Sequence, residues 1–405
     1  MINASPDEGI SENEESRCAQ YGRARFHLAI GEFLTLVVTL LLLTLTGFSR
    51  ELLEWFNSLN APRPATDFLF LATIGLVTRG VVFPFQWLNQ YLLDRRFGLS
   101  QETFLAWFWG WLCRTTLYGL VTILCLAPFV ETLRWWPWLF PLWAAAFLAV
   151  RPLFIDYVQQ PLQNLFYPVT FLREETFSVP GIGDLTLPVY LVKVSHRTSR
   201  ADASIRLKGK KSAIFVTDTL IDAFTDGEER IVIAHEFGHL YDHFHLESQT
   251  PSGVAQAQRK IVLGSAQIGA AAVALLTLQL FSTPLGLSGA HDLAGFPLAA
   301  GVAIALATAL SPFVYREARR DEQDADRYAL AATGDPANYV SVMQKLRRMN
   351  LEEALSTRWS RLFYDTHPTY AERIRMASEY RRRLKPRSRR ASWRGWRNIQ
   401  RHGRR

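Results

Sequence analysis

Long apolar segments limit this chain to a membrane fold more strongly than any other feature of its sequence. The first runs from Phe26 to Phe48, a stretch of 23 residues in which only His27 and Glu32 are strongly polar, both near one end. A helix of about 20 apolar residues crosses the roughly 30 Å of hydrocarbon in a bilayer. The stretch is too long for a signal peptide and no small-residue cleavage site follows, which indicates a retained span.

Five further segments share this apolar character, and together with the first they predict about six spans. They cover residues 68–91, 104–130, 135–154, 261–281 and 293–314. Arginines are more frequent in the connections on the side of the N-terminus, which predicts that this side and both termini are cytoplasmic. The membrane is expected to be a bacterial inner membrane, with the endoplasmic reticulum as the alternative. For the last two segments, a buried helical hairpin in a globular core is the alternative to spans.

Composition distinguishes the two ends of the chain from the rest. Residues 1–25 begin acidic and contain few large apolar side chains, so they are predicted to form a mobile arm. Residues 381–405 hold 12 of the 45 Lys and Arg residues and no acidic one. This basic tail is expected to bind anionic lipid headgroups, and nucleic acid is not expected as a partner of a membrane protein. Cys18, Cys113 and Cys125 form no CxxC pair, which excludes a thiolate metal site and a disulfide framework.

These boundaries divide the chain into alternating membrane and soluble parts. The parts are the arm (1–25), a membrane domain of four spans (26–166), a first soluble part (167–259), two further spans (260–315), a second soluble part (316–380) and the basic tail (381–405). In the first soluble part, alternation and β-branched residues predict strands at 187–194 and 213–217. Residues 203–207 are expected to pair with the second of these strands through a turn at 208–210, which makes a small sheet.

One predicted helix in the first soluble part carries the candidate catalytic and metal-binding residues. Thr225 followed by Glu228 is a capping box, which predicts that a helix begins there. His235 and His239 are four residues apart, so their imidazoles lie about 6 Å apart on one face and can reach a single ion. Glu236 lies beside them, where it can take a proton from a metal-bound water. This H-E-x-x-H arrangement is typical of zinc peptidases, and two ordinary histidines on a polar helix face are the alternative.

A catalytic zinc ion needs a third protein ligand, and one candidate lies on the same helix. His245 follows His235 by ten residues, which is the spacing of metzincins. Metzincins, however, need a glycine between the two so that the helix can break, and this chain has Asp242 at that position. The helix is therefore expected to continue and to direct His245 away, and His243 is a weaker candidate still.

A second candidate directly follows the last apolar segment. Glu322 and Asp326 are four residues apart on a strongly charged helix, so one carboxylate can bind the metal while the other accepts the N–H of a metal-bound imidazole. An exposed charged turn is the alternative. Farther along, His367 precedes Pro368 at a predicted helix start, and Arg373 follows. A histidine in that loop could donate a hydrogen bond to a developing oxyanion.

Together these residues resemble peptidase family M48, the membrane zinc metallopeptidases. The matching motifs are, in order, His235 to His239, then Glu322 to Asp326 in an E-x-x-A-D pattern, then His367-Pro368 with Arg373. Residues 83–85 and 96–103 also look like the segment around the F-G-F-N-x-x-T motif of the Ste24-like CAAX prenyl proteases. The shorter HtpX-like quality-control proteases lack that segment, so the chain is more similar to the Ste24-like group.

The resemblance implies a role for each matching residue. The implied ligands of one zinc ion per chain are His235, His239 and Glu322. Glu236 is implied to be the general base. Asp326 is implied to support a metal ligand without binding the metal itself, and His367 and Arg373 are implied to help in binding the substrate and the transition state.

The resemblance also implies a substrate-binding strand and a membrane architecture. The family holds the substrate backbone on an edge strand with an Asn-Ala pair, by adding the substrate as a further strand. This chain has Asp202-Ala203 at the matching place, so strand pairing is retained and the Asn side-chain contact is lost. The Ste24 type is expected to have seven spans around a large intramembrane chamber, whereas this chain has six apolar segments.

The predicted fold is therefore mainly α: a multi-pass α-helical membrane protein with a zincin-like metallopeptidase domain that contains a small β-sheet. The predicted function is that of an integral membrane zinc metalloendopeptidase. Its expected substrates are membrane-associated or prenylated polypeptides, cut on the cytoplasmic side of the lipid bilayer. A quality-control protease without prenyl specificity is the first alternative, and a catalytically inactive membrane scaffold is the second.

Overall fold

The computed structural model describes residues 12–136, 142, 167–179, 183–206, 212–247, 251–353 and 355–384. Most of the predicted fourth span (135–154), the turn at 208–210 and the greater part of the basic tail lie outside these ranges. The architecture below is that of the described residues.

The helices of these ranges are α1 (Glu12–Leu45), α2 (Phe48–Ser58), α3 (Arg63–Trp87), α4 (Phe104–Trp135), α5 (Asp218–Ala223), α6 (Asp226–Glu247), α7 (Pro251–Phe281), α8 (Phe296–Thr333), α9 (Pro336–Asn350), α10 (Arg358–Phe363) and α11 (Tyr370–Leu384). Helix α3 continues through a π-helical segment, Leu88–Leu93, to Arg96. The strands are β1 (Val169–Val179), β2 (Gly183–Val192), β3 (Ala203–Arg206) and β4 (Ala213–Thr217).

Among the described residues, four helical stretches are long and apolar enough to cross a bilayer. They are α1, α3 with its extension, α7 from Gln258 onwards, and α8 with the turn before it. These stretches coincide with the first, second, fifth and sixth predicted spans, and α4 covers the third. Only 11% of the apolar window of α7 and 39% of that of α8 are buried inside the protein. Such exposure suits a helix that faces lipid, and it contradicts the alternative of a buried helical hairpin.

The prediction of a mobile arm is wrong for residues 12–25, which belong to α1. Tyr21 is only 2% exposed, and its hydroxyl donates a 2.6 Å hydrogen bond to Asp94 Oδ1. The Arg200 guanidinium lies 2.9 Å from the same oxygen. Composition underestimated this segment because its few apolar side chains, Cys18 and Tyr21, lie on one helix face and pack against the end of α3.

One polar chain joins three of the membrane helices. Glu32 on α1 accepts a 2.7 Å hydrogen bond from the side-chain amide of Gln86 on α3. Gln86 accepts in turn a 2.7 Å hydrogen bond from the indole N–H of Trp111 on α4. Buried polar groups in a membrane protein need such partners because lipid offers none. The acidic residue of the first span is thus satisfied by its neighbours.

In the described ranges the sheet has the strand order β1-β2-β4-β3. Strands β1 and β2 form an antiparallel pair, β2 and β4 run parallel, and β3 pairs antiparallel with β4, with Ala203 opposite Val216. The predicted strands are confirmed by β2, β3 and β4, whereas β1 was not predicted. One face of the sheet packs on α6 through buried residues such as Ile233 and Phe237.

Helices α6 and α8 cross at very close range. A Cβ added to Gly238 would lie 2.6 Å from the Ala325 Cα. Real side chains do not approach a backbone so closely, so glycine is required where the two helices touch. Because Gly238 lies beside His239 and Ala325 beside Asp326, this contact brings the histidine pair of α6 against the carboxylate pair of α8.

Candidate metal centre

The start of α6 is held by the predicted capping box. The Thr225 backbone N–H donates to Glu228 Oε2 at 2.8 Å. Glu228 is buried and also accepts hydrogen bonds from Ser341 Oγ at 2.5 Å and Lys345 Nζ at 2.6 Å, both on α9. Burial alone would raise the pKa of the Glu228 carboxyl, but these donors outweigh it and lower the pKa to about 2. The carboxylate therefore stays ionised and ties α6 to α9.

The structure brings Glu322 of α8 to both histidines of α6. Glu322 Oε2 lies 3.3 Å from His235 Nε2, and Oε1 lies 3.5 Å from His239 Nε2. One donor atom from each residue can be chosen so that all lie within 4.8 Å of one another. Atoms that bind one tetrahedral zinc ion at about 2.1 Å are about 3.4 Å apart. The three side chains therefore fit a shared zinc ion.

The hydrogen bonds around this group support the same fit. Glu322 Oε2 is buried and has no hydrogen-bond partner among the described residues. His235 Nδ1 lies 2.9 Å from Asp326 Oδ1 and donates its proton there in the neutral imidazole. His235 Nε2 then presents a lone pair toward a carboxylate oxygen that also lacks a donor. Two acceptors that face each other in a buried site are satisfied by a cation between them.

The pKa values of the two histidines differ for electrostatic reasons. Burial lowers the pKa of His235, but the hydrogen bond with Asp326 and the nearby negative charges of Asp326 and Glu322 outweigh burial and raise it to about 10. The pKa of His239 is lowered to about 4, first by burial and then by the charge of His235. The carboxylates thus create a negative field at His235 Nε2 that attracts a proton or a metal cation, and metal binding displaces the proton.

Arg373 of α11 binds Asp326 from the other side. Its Nε lies 2.9 Å from Asp326 Oδ2 and its Nη2 lies 3.1 Å from Oδ1. The same Nη2 is 3.6 Å from Glu322 Oε2. Both partners are buried, Asp326 completely. The guanidinium therefore positions the carboxylate that orients His235.

Glu236 lies beside the ligand group and is 6% exposed. Burial raises the pKa of its carboxyl to about 7, and the carboxylates of Glu322 and Asp202 add to the effect while the charge of His235 opposes it. The backbone N–H of Ile205 in β3 also favours the ionised form. A carboxyl with a pKa near 7 can both accept and release a proton at neutral pH.

A cavity of about 370 Å³ opens from this group. Asp202 and Ala203 at the start of β3 line it together with Glu236 and His367. The His367 side chain is 63% exposed and its Nε2 lies 3.5 Å from Glu322 Oε1. The structure thus gathers the predicted strand, base and loop histidine around one cavity.

The other sequence candidates have different outcomes. Helix α6 continues through Asp242 to Glu247, as expected from the missing glycine. The side chains of His243 and His245 lie outside what the structure describes. Two further cavity residues, Arg25 and Tyr339, were not found from the sequence because neither belongs to a motif. No local signal points to them, since long-range packing places them there.

Two protein-family models together match most of this chain. The model of peptidase family M48 matches residues 182–381, and the model described as CAAX prenyl protease N-terminal, five membrane helices, matches residues 4–161. A similar curated protein is the uncharacterized metalloprotease YhfN of Bacillus subtilis (strain 168). It is 26% identical over 395 residues, which cover 93% of this chain and 88% of that protein.

A solved structure with a similar fold is the crystal structure of Ste24p from S. mikatae. The TM-score is 0.71 at 19% sequence identity, over 92% of this chain and 90% of that chain. This likeness concerns the fold, and it confirms the predicted architecture of a mainly α membrane protein with a small sheet.

Proposed function

Because the chain belongs to peptidase family M48 and is a membrane zinc metalloprotease, we propose that it is an endopeptidase for membrane-associated polypeptides, prenylated ones included. The family and the enzyme class that the sequence predicted are confirmed by these matches. The observation that carries the proposal is the approach of Glu322 to within 3.5 Å of both His235 and His239. An exposed charged turn would not bring these three side chains together.

In this proposal His235, His239 and Glu322 hold one zinc ion per chain. Two imidazoles and a carboxylate are a donor set that catalytic zinc sites use. Asp326 keeps the proton of His235 on Nδ1, and Arg373 holds Asp326 in place. When bound, zinc supplies a Lewis acid that polarises a peptide carbonyl and lowers the pKa of a water molecule.

Glu236 is the proposed general base. Its carboxylate takes a proton from the attacking water and then gives that proton to the leaving amine, a transfer that a pKa of about 7 suits. His367 faces the same cavity on a loop and is proposed to donate a hydrogen bond to the carbonyl oxygen as negative charge develops there. Arg373 acts through Asp326, because its guanidinium is engaged by that carboxylate.

The substrate backbone is proposed to pair with β3. Asp202 and Ala203 line the cavity at the start of this strand, and β3 pairs with β4 on one side, while the Ile205 N–H on the same strand interacts with Glu236. An extended substrate could therefore add as a further strand beside the base. This chain has Asp202 at the position where the family has an Asn, so the proposed side-chain contact with the substrate differs from that of its relatives.

The position of the centre supports a membrane-associated substrate. Helix α8 runs without interruption from a membrane span to Glu322, and Tyr21 and Arg25 of α1 line the cavity. The arginine bias of the connections supports a cytoplasmic orientation in a bacterial inner membrane. Contact of residues 381–405 with anionic headgroups is part of the same proposal, and nucleic acid is not.

The test uses the full chain purified in detergent. Its zinc content is measured, and cleavage is followed on a farnesylated peptide, its unmodified twin and an unfolded casein-like protein. We expect about one zinc per chain and cleavage of at least one substrate. Glu236→Gln should keep the zinc and lose about 10²- to 10⁴-fold in rate.

The pattern of cleavage among these substrates distinguishes the candidate functions. Preference for the farnesylated peptide supports prenyl recognition, and equal cleavage of the twins supports a quality-control protease without it. If the zinc-loaded wild type cuts none of the substrates, the endopeptidase proposal is overturned in favour of the scaffold.

A further inference from the structure

Arg25 lies outside every motif, yet its side chain lines the same cavity as His235 and Glu236. It belongs to the catalytic-side end of α1, the helix that continues into the first span. The membrane domain therefore contributes a permanent positive charge to the cavity beside the metal centre. This contribution has no counterpart in the roles already assigned.

The guanidinium of Arg25 is held by rings and by no carboxylate. Its Cζ lies 5.5 Å from the ring centroid of Tyr21 and 5.7 Å from that of Tyr364. Across the described ranges, no Asp or Glu oxygen lies within 4.0 Å of it. Aromatic faces hold a guanidinium in place without neutralising it. The side chain is thus oriented, and its N–H donors remain available.

Other arginines near the cavity have carboxylate partners. Arg200 pairs with Asp94 at 2.9 Å, and Arg373 pairs with Asp326 at 2.9 Å. In these two cases an acidic side chain balances the charge of the arginine. Arg25 departs from that pattern at the place where a substrate would lie.

None of the described acidic residues that line the cavity forms an ion pair with Arg25. Asp365 Oδ1 accepts a 2.9 Å hydrogen bond from Ser360 Oγ, whereas its Oδ2 is buried and has no hydrogen-bond partner among the described residues. Its nearby cation is Arg319, which donates a 2.6 Å hydrogen bond to the Asp365 backbone carbonyl. Glu353 has Arg23 as its nearby cation. Asp365 and Glu353 thus each lie near an arginine other than Arg25.

We propose that Arg25 binds a carboxylate of the substrate a few residues from the cleaved bond. Arginine matches this group because its planar fork can donate two parallel hydrogen bonds to the two oxygens. Tyr364 precedes His367 by three residues, so their Cα atoms are at most about 11 Å apart. An extended substrate, at about 3.3 Å per residue, covers such a distance in a few residues.

Two groups of a peptide substrate can supply this carboxylate: its C-terminus and an acidic side chain. The inference rests on the proposed endopeptidase function, and it adds a requirement for negative charge to the substrate class. It also explains why a membrane helix reaches into the cavity, since α1 would bind the substrate carboxylate while α6 and α8 carry the proposed catalytic residues.

The experiment measures kcat/KM on matched peptide pairs with the full-length protein. One ladder of peptides varies the number of residues between the cleaved bond and the C-terminus, each with a free carboxylate or an amide. A second ladder has amidated ends and carries Glu or Gln at successive positions. We expect the wild type to prefer the charged member of one ladder by about 10- to 100-fold. The ladder that shows the preference identifies the source.

Variants assign the preference to the guanidinium. Arg25→Gln should lose the preference through a raised KM for the charged peptide, with the amide or Gln peptide cut as before. Arg25→Lys should retain part of the preference, because it keeps the charge without the fork. Arg23→Gln is the matched control, since Arg23 is exposed on the same helix and does not line the cavity. It should keep the full preference.

The outcomes separate this inference from the proposed function. If the wild type cuts both members of every pair equally, Arg25 reads no carboxylate and the endopeptidase function stands. If it cuts no peptide of either ladder, the proposed function fails instead. A variant that loses preference must still cut the uncharged peptides at the wild-type rate. A fall in both rates would mean that Arg25 supports the fold, which overturns the inference.

Discussion

The metal centre and the membrane helices both bury polar groups, but they satisfy them differently. In the membrane region, Glu32 has a hydrogen-bond donor in Gln86, which has one in Trp111. At the centre, Glu322 Oε2 is buried without any hydrogen bond among the described residues. A buried acceptor that the protein leaves unsatisfied costs stability, so it marks a place where a ligand is expected. Satisfied groups in the membrane region hold helices together.

The largest effect should come from Glu322, with Glu32 as the matched control from the membrane region. Glu322→Gln removes the charge of a proposed zinc ligand. Zinc affinity should therefore fall by more than the roughly 10- to 100-fold that loss of a residue supporting a ligand costs, and activity should fall with it. Glu32→Gln retains a hydrogen-bonding side chain and should leave both properties unchanged. Zinc content and peptide cleavage are measured on both variants. Equal losses would place Glu32 among the functional groups and break the contrast.

A tenfold to hundredfold loss of zinc affinity is expected for Asp326→Asn. The amide oxygen can still accept the hydrogen bond from His235 Nδ1, but the variant lacks the negative charge that Arg373 binds. Asp67→Asn is the control, because Asp67 is a buried aspartate near the start of α3 that is likewise paired with an arginine, Arg134, at 2.9 Å. Zinc is titrated against a competing chelator. An unchanged affinity for Asp326→Asn would show that the outer carboxylate does not support the ligand.

Glycines of the two regions should respond in opposite directions to alanine. Gly238→Ala places a Cβ 2.6 Å from the Ala325 Cα, and such overpacking costs about 1–3 kcal/mol. Gly75→Ala on α3 meets open space and should gain up to about 1 kcal/mol from helix propensity. Thermal unfolding in detergent gives both values. A neutral Gly238→Ala would mean that α6 and α8 are not in tight contact.

The smallest effect concerns pH. The pKa of Glu228 is about 2 in the folded chain against an ordinary value of 4.5, so its stabilisation is present above about pH 4.5 and is lost as the pH falls toward 2. Lys345 is one-third exposed, which screens the pair and limits the effect to about 1–2 kcal/mol. Unfolding of the wild type and Glu228→Gln should differ at pH 7 and converge in acid. A gap that persists at low pH would contradict this.

Local periodicity made parts of the fold and site predictable. Within the part of the chain that the structure describes, five of the six apolar segments coincide with long helices, because the thickness of the bilayer sets the length of a span. The capping box at Thr225 and the spacing of His235 and His239 are properties of one helix. Strand β1 was missed because Arg173, Glu174 and Glu175 interrupt its pattern, and it forms by pairing with β2. The arm was mispredicted for a similar reason, since contacts with α3 stabilise it.

The sequence by itself determined that the chain crosses a membrane several times and that one helix carries two imidazoles on one face with a carboxylate beside them. Only the tertiary structure decided which residues meet that helix. Asp326 lies 91 residues from His235 in the chain, and it reaches the imidazole because Gly238 lets α8 approach α6. Arg25 reaches the same cavity because α1 packs beside it. Spacing along a helix follows from local geometry, whereas contacts between distant segments follow from packing.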